Sequence, residues 1–256
     1  MVVMPGLINT FVNSGTNMAK NIAEHASGVA WRHLMDHILL RSVTEKFYHV
    51  SGELMSLELL KFGPTCFLSK FGTSPRADDP AYAGSHIEGI AGVGIRSVTG
   101  VGPFRWPFPE VTSFWRNGKR TDRVVTVEQS FRVVEQLIRK YHGTHGGRMG
   151  VWIGLARMLA PSSVDPMYNP RILKHSMKVS RLVKRLMKKY DVGLRVNAYH
   201  TAIKYAHEKL NILGPKVVLA HATALNKQLI GYLADTDTKV SHCPTARRMY
   251  MYDSTC

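Results

Sequence analysis

Cysteine is scarce in this chain of 256 residues. Cys66, Cys243 and Cys256 stand far apart, with no Cys-x-x-Cys pair. That excludes a disulfide framework and a zinc knuckle, and leaves ordinary reduced thiols as the expectation. Long apolar runs are also missing. The longest, such as Val151-Trp152-Ile153-Gly154-Leu155-Ala156, are strand-length, far short of the roughly 18 residues that a membrane-crossing helix needs. The N-terminus lacks the basic-then-apolar layout of a secretion signal, so a cytoplasmic protein with no membrane span is expected. No segment repeats at a fixed period. The Gly-rich candidates, Gly92-x-Gly94 and Gly100-x-Gly102, lack the remaining glycines of a dinucleotide fingerprint.

Acidic residues are few as well. Eighteen Asp and Glu face 34 Lys and Arg, a formal net charge of +16. A field of that size attracts nucleic acid or anionic surfaces without a specific site, so non-specific polyanion binding is one expectation. The charge is spread along the chain with no tail-like block, and no nucleic-acid motif accompanies it. The plainer reading is a barrel surface that has drifted basic.

What remains is 45% hydrophobic, enough for a sizeable core, and the length is close to that of a (β/α)8 barrel. Short apolar runs alternate with amphipathic stretches, the pattern of βα units around a parallel sheet. Strands are expected at 2–9, 65–68, 95–99, 151–155, 194–199, 217–221 and 239–242. Helices are expected within 18–40 and at 53–61, 125–141 and 176–190. In the last, Val179, Leu182, Val183, Leu186, Met187 and Tyr190 share one face, and Lys178, Arg181, Lys184, Arg185, Lys188 and Lys189 cover the other. That is the signature of a solvated outer helix, or of one that meets an anionic partner. The stretch 100–123 reads as a long loop over the barrel mouth. Its aromatics, Trp106 and Phe108 among them, would stack on a planar substrate ring or pack the loop down.

The opening Met4-Pro5-Gly6-Leu7-Ile8-Asn9-Thr10-Phe11-Val12-Asn13 resembles the first barrel strand of the amidohydrolase superfamily, in its cytosine-deaminase and triazine-hydrolase branch. The resemblance continues through Leu59-Leu60-Lys61-Phe62-Gly63-Pro64-Thr65-Cys66 and Gly92-Val93-Gly94-Ile95-Arg96-Ser97-Val98. It extends to Gly214-Pro215-Lys216-Val217-Val218-Leu219-Ala220-His221-Ala222 and Val240-Ser241-His242-Cys243-Pro244-Thr245. The order and spacing of these segments cover nearly the whole chain. The resemblance implies a TIM-like (β/α) barrel of the metal-dependent-hydrolase type, with 1–256 as a single domain. It is expected to be incomplete, with about seven strands and no flanking β-sandwich.

It also implies a lineage chemistry, the hydrolysis of a non-peptide C–N bond of a small N-heterocyclic substrate by a water on zinc or iron. The family's metal-binding His-x-His falls on Phe11 and Asn13. Its His-x-x-Glu falls on Asn197-Ala198-Tyr199-His200. A phenyl ring has no lone pair to give, and a neutral amide is a poor ligand for a transition metal. His221 keeps the position that orients or polarises the attacked carbon, and His200 stands where the proton shuttle belongs. The chain ends before an eighth strand and its Asp. The expectation is therefore a pseudoenzyme: the lineage of a hydrolase with its metal site lost, His221 and His200 as candidate catalytic residues, Trp106 and Phe108 as candidate substrate contacts. A partner copy closing the open barrel edge is a further expectation. His33 with His37 and His142 with His145 are spaced to approach each other, without recognised metal partners.

Overall fold

The structure, a computed structural model, describes residues 3–23, 26–72, 76–103, 108–157, 170–223 and 225–243. Seven parallel strands, β1 (Leu7–Asn13), β2 (Pro64–Lys70), β3 (Arg96–Val101), β6 (Met149–Leu155), β7 (Leu194–Tyr199), β8 (Val217–Thr223) and β9 (Lys239–Ser241), form one sheet in that order. The sheet curls into a nearly closed barrel. Its two edge strands meet through side chains, with Thr10 Oγ1 of β1 lying 2.7 Å from Ser241 Oγ of β9. Strands β4 (Glu110–Arg116) and β5 (Lys119–Val125) make a separate antiparallel hairpin.

Helices pack the outside: α1 (Gly28–Arg41), α2 (Glu45–Lys61), α3 (Pro80–Val93), α4 (Val127–Tyr141), the single turn α5 (Thr144–Gly147), α6 (Pro170–Tyr190), α7 (His200–Tyr205) and α8 (Lys227–Asp235). Local chemistry sets their ends. The Asp79 carboxylate accepts from Ala81 N, Pro80 opens α3, and Gly94 closes it at φ 88°, a left-handed position that costs glycine nothing. Thr126 and Gln129 form a reciprocal capping box at the start of α4. In α6, Val179, Val183 and Leu186 are buried while Arg181, Lys184, Arg185 and Lys188 are exposed, as the 3.6-residue period predicts. None of the described helices is long and apolar enough to cross a membrane.

The strands of this barrel are buried on both faces. Leu194, Val196 and Ala198 of β7 and Val217 and Leu219 of β8 are buried in the layer shared with the helices. The alternate residues of β7, Arg195 and Asn197, point the other way, into the lumen.

The 100–123 stretch is not one long loop. Residues 104–107 lie outside the described residues, but the remainder folds into the β4–β5 hairpin around Asn117 and Gly118, at φ 49° and 73°. Two successive positive φ values match the twist of a two-residue hairpin turn, and Asn-Gly is the pair that adopts them cheaply.

A buried ion pair ties that hairpin to the barrel. Arg76 is 1% exposed. Its Nε donates to Asp78 Oδ1 at 2.9 Å, its Nη1 to Leu39 O of α1 at 2.8 Å, and its Nη2 to Ser113 O of β4 at 2.7 Å. The guanidinium also lies 3.6 Å over the Tyr82 ring of α3. One side chain thus joins three chain segments. Arg76→Met is expected to lower unfolding free energy by about 3–5 kcal/mol, because it strands the Asp78 carboxylate in the core. The double variant Arg76→Met with Asp78→Leu should recover much of that in urea titrations. A loss below about 1 kcal/mol in the single variant would contradict this account.

Candidate functional site

The C-terminal ends of parallel strands converge at the barrel mouth, where such folds place their chemistry. Two local irregularities shape this one. In β1 the Asn9 side chain turns back to accept from Phe11 N at 3.0 Å, and the β1–β2 register slips between Asn9 and Val12. A bulge of this kind re-aims side chains. Thr10 thereby reaches Ser241, and Phe11 reaches into the lumen. In β8, His221 and Ala222 have φ 73° and 42°, and the β7–β8 register slips beside them, between Ala198 and Tyr199. Non-glycine residues in that region carry about 1–2 kcal/mol of strain each, which the surrounding structure must hold in place.

The result is a contact across the lumen. The Phe11 and His221 rings lie edge to face, centroids 4.8 Å apart. The guanidinium carbon of Arg195 lies 4.6 Å from the Phe11 ring centre, within cation–π range. Strands β1 and β7 are not neighbours in the sheet, so this contact spans the barrel. Arg195 is 0% exposed, and its Nη1 donates to Asn197 Oδ1 at 2.8 Å. Lys70, 2% exposed at the end of β2, pairs in register with Asn13. Phe11, Asn13, Asn197 and His221 are half-buried.

Electrostatics follow from this lining. Burial pushes the His221 imidazole down to about 4, and the neighbouring positive charges of Arg195 and Lys70 push the same way. Its neutral form therefore prevails at pH 7. The Cys243 thiol, which donates to Ser241 O at 3.4 Å, is raised by burial and is no ready thiolate.

The three ligand positions implied by the resemblance do not fit a divalent metal. Phe11 offers a ring face already shared with a guanidinium, and the Asn197 oxygen is taken by Arg195. Asn13 Oδ1 is buried without a hydrogen-bond partner among the described residues, a single neutral acceptor. Among the described residues no group of three or more His, Cys, Asp or Glu is placed to hold a metal ion.

The other sequence candidates lie elsewhere. His200 opens α7 directly after β7, but its side chain lies outside the described residues, as does all of Trp106. Phe108 packs with Leu40 and Val125 and stacks on His175 of α6 at 5.5 Å. His33 and His37 are exposed on α1. His142 Nδ1 accepts from Val151 N at 3.1 Å, a structural bond. Sequence reasoning missed Arg195 and Lys70. Their signal was a charged residue inside an otherwise apolar strand, with Arg195 two positions before Asn197 and so on the same face.

No family model matches the chain. Among curated proteins it is 23% identical, over 257 residues, to a 5-methylthioadenosine/S-adenosylhomocysteine deaminase of Syntrophomonas wolfei subsp. wolfei, covering 95% of this chain and 50% of that protein. It is 23% identical over 253 residues to a 5'-deoxyadenosine deaminase of Methanobrevibacter smithii, with coverages of 95% and 50%. The chain therefore spans about half the length of the curated relatives it matches. Among solved structures, the zinc complex of atrazine chlorohydrolase from Arthrobacter aurescens TC1 superposes with a TM-score of 0.68 at 18% identity, covering 97% of this chain and 55% of that one. An adenosine deaminase from Xanthomonas campestris with bound zinc gives 0.66 at 14% identity, covering 97% and 51%. The chain thus shares the barrel fold of these zinc-bound enzymes and is distantly similar in sequence to the deaminases.

Within this barrel, the site geometry makes a pH prediction. His86, fully buried with Nδ1 donating to Tyr48 O at 2.9 Å, is also pushed down to about 4, chiefly by burial. Between pH 6.5 and 4 the unfolded chain takes up protons that both folded imidazoles refuse. Their contribution to stability is therefore present above about 6.5 and lost as pH falls toward 4. In an NMR titration, both rings should move with midpoints near pH 4. Arg195→Met should raise the His221 midpoint and leave His86 in place. A His221 midpoint at 6.5 in the unsubstituted protein would contradict the geometry.

Proposed function

We propose that this chain keeps the amidohydrolase barrel as a binding scaffold and has given up the lineage chemistry. That chemistry, metal-assisted hydrolysis of a non-peptide C–N bond in an N-heterocycle, is suggested by the names of its relatives, deaminases and a chlorohydrolase. One observation carries the reading. The Asn197 side chain, where a metal-binding histidine would stand, is hydrogen-bonded to a buried guanidinium that lies against Phe11, another ligand position. A divalent ion placed there would meet a phenyl face and a fixed positive charge instead of lone pairs. His221 would then serve as a neutral wall of the pocket. On the rival hydrolase reading, His221 and His200 would carry the proton transfers.

A second reading, a basic binding protein for polyanions, is favoured by the exposed face of α6. There Arg181, Lys184, Arg185 and Lys188 line one side of a 21-residue helix. Its mark would be an affinity that falls steeply with salt.

The test begins with zinc, iron and manganese content per chain in a monodisperse sample, followed by ammonia release from adenosine and 5'-methylthioadenosine. Metal well below one ion per chain and no turnover are expected. The triple variant Phe11→His, Asn13→His, Asn197→His is also expected to stay inactive, because Arg195 and Lys70 remain. Near-stoichiometric metal, or turnover by either protein, would overturn the reading.

A further inference from the structure

We propose that the outer face formed by α6 and its neighbour α4 binds the phosphate backbone of a nucleic-acid duplex, without reading its sequence. The inference rests on the basic-binding reading above and gives it a surface and a partner.

Charge is concentrated on this face. Eight of the chain's 34 Lys and Arg fall within the 21 residues of α6, and the helix carries no Asp or Glu. Ile172, Val179, Val183 and Leu186 are buried against the barrel, which fixes where the rest can point. At 3.6 residues per turn, the exposed Lys174, Arg181, Arg185 and Lys188 fall within an arc of about 60° and along about 21 Å of helix. The flanks agree with this placement. On one side Lys178 pairs with Glu128 of α4, and Lys189 Nζ donates to Glu135 Oε1 at 2.7 Å. On the other, Lys184 Nζ donates to Leu210 O at 3.1 Å. The acidic groups beside the row are thus engaged: Glu128 and Glu135 by the flanking lysines, with Arg185 also acting on Glu135, and Glu208 by Tyr232 Oη at 2.7 Å. Arg181 Nε donates to Met177 O of its own helix at 3.3 Å, a main-chain contact that leaves its charge in place. Arg132 and Arg139, exposed on α4 one turn beyond those two glutamates, extend the positive field.

The chemistry of the face selects the partner. A row of about 21 Å spans about six phosphates of one duplex strand. A membrane-surface helix needs an apolar face free to enter the lipid, and here that face is used against the barrel. Of the large apolar side chains of α6, only Met177 is exposed. A protein partner would need aromatic or aliphatic anchors, which the row also lacks. A single strand is held largely by stacking on aromatic rings, and the row offers none. A duplex asks only for cations at fixed spacing, which a helix already packed in place presents with little further ordering.

Fluorescence anisotropy of a labelled DNA duplex of about 20 base pairs, titrated with the full chain between about 50 and 200 mM salt, tests this. With about four phosphates neutralised, the logarithm of the binding constant should fall against that of salt with a slope near −4, about 0.9 per phosphate. Arg181→Gln with Arg185→Gln and Lys188→Gln should weaken binding at least about 30-fold at about 0.1 M salt and bring the slope to about −1. Lys46→Gln with Lys61→Gln and Arg96→Gln removes the same charge from exposed positions on α2 and β3 and should leave both quantities nearly unchanged. Should the α6 triple variant melt early, Lys188→Gln alone, expected to flatten the slope by about one, decides. The matching single strand should bind more weakly than the duplex. An RNA duplex of the same sequence, run in parallel, tells which duplex is preferred.

Equal losses in the two triple variants would overturn the proposal, because they would trace binding to the general surface charge. So would tighter binding of the single strand, or displacement of the duplex by phosphatidylserine vesicles or polyglutamate at matched charge. The two readings fail separately. Binding that the α6 variant leaves intact removes this surface and keeps the basic-binding reading, whereas no binding of any of these polyanions ends both.

Discussion

A guanidinium buried inside a parallel barrel constrains everything placed around it. Arg195 cannot reach bulk water from the lumen, so its neighbours have to satisfy a permanent charge. Phe11 gives it a π face and Asn197 gives it an oxygen. His221, 4.8 Å from Phe11, is held neutral by burial and by the charges beside it. Phe11, Asn197 and His221 are thus parts of one arrangement. A histidine at 197 would be pressed to share the same cation, and a metal beside it would be repelled.

A second buried arginine solves the same problem by other means. Arg76 has its own carboxylate, Asp78, and two main-chain carbonyls, so its charge is neutralised where it lies. The network fixes the β4–β5 hairpin against α1 and α3, and Trp115 adds a bond from Nε1 to Arg41 O at 2.8 Å. One buried arginine serves architecture. The other sets the electrostatic character of the mouth.

Much of this was legible in the sequence. β7 falls on the expected 194–199, and the buried faces of α4 and α6 follow from helical spacing, because runs buried on both faces and strong amphipathic periods are local properties. The barrel fold that the chain shares with zinc-bound hydrolases was legible in the strand-end motifs. The first strand was placed too early, at 2–9 against Leu7–Asn13, since its position is fixed by pairing with β2 and by the Asn9 bulge. The hairpin was hidden by the Pro- and Trp-rich residues before it, although Asn117-Gly118 announced its turn. The role of Arg195 was not legible. Alternation tells which residues share a face, but only the closed barrel tells which face is the lumen and which residue of a distant strand waits across it.

The seam between β1 and β9 has a consequence for how the barrel moves. Elsewhere around the sheet, neighbouring strands are joined by ladders of main-chain bonds. Here, among the described residues, the two edges are joined by a pair of hydroxyls, Thr10 and Ser241. Breaking one such bond costs far less than unzipping a ladder. Breathing of the barrel should therefore concentrate along this line, and amide protons of β1 and β9 should exchange with solvent ahead of those in β3 and β6. Phe11 lies on β1, beside that line, and Arg195 on β7, away from it.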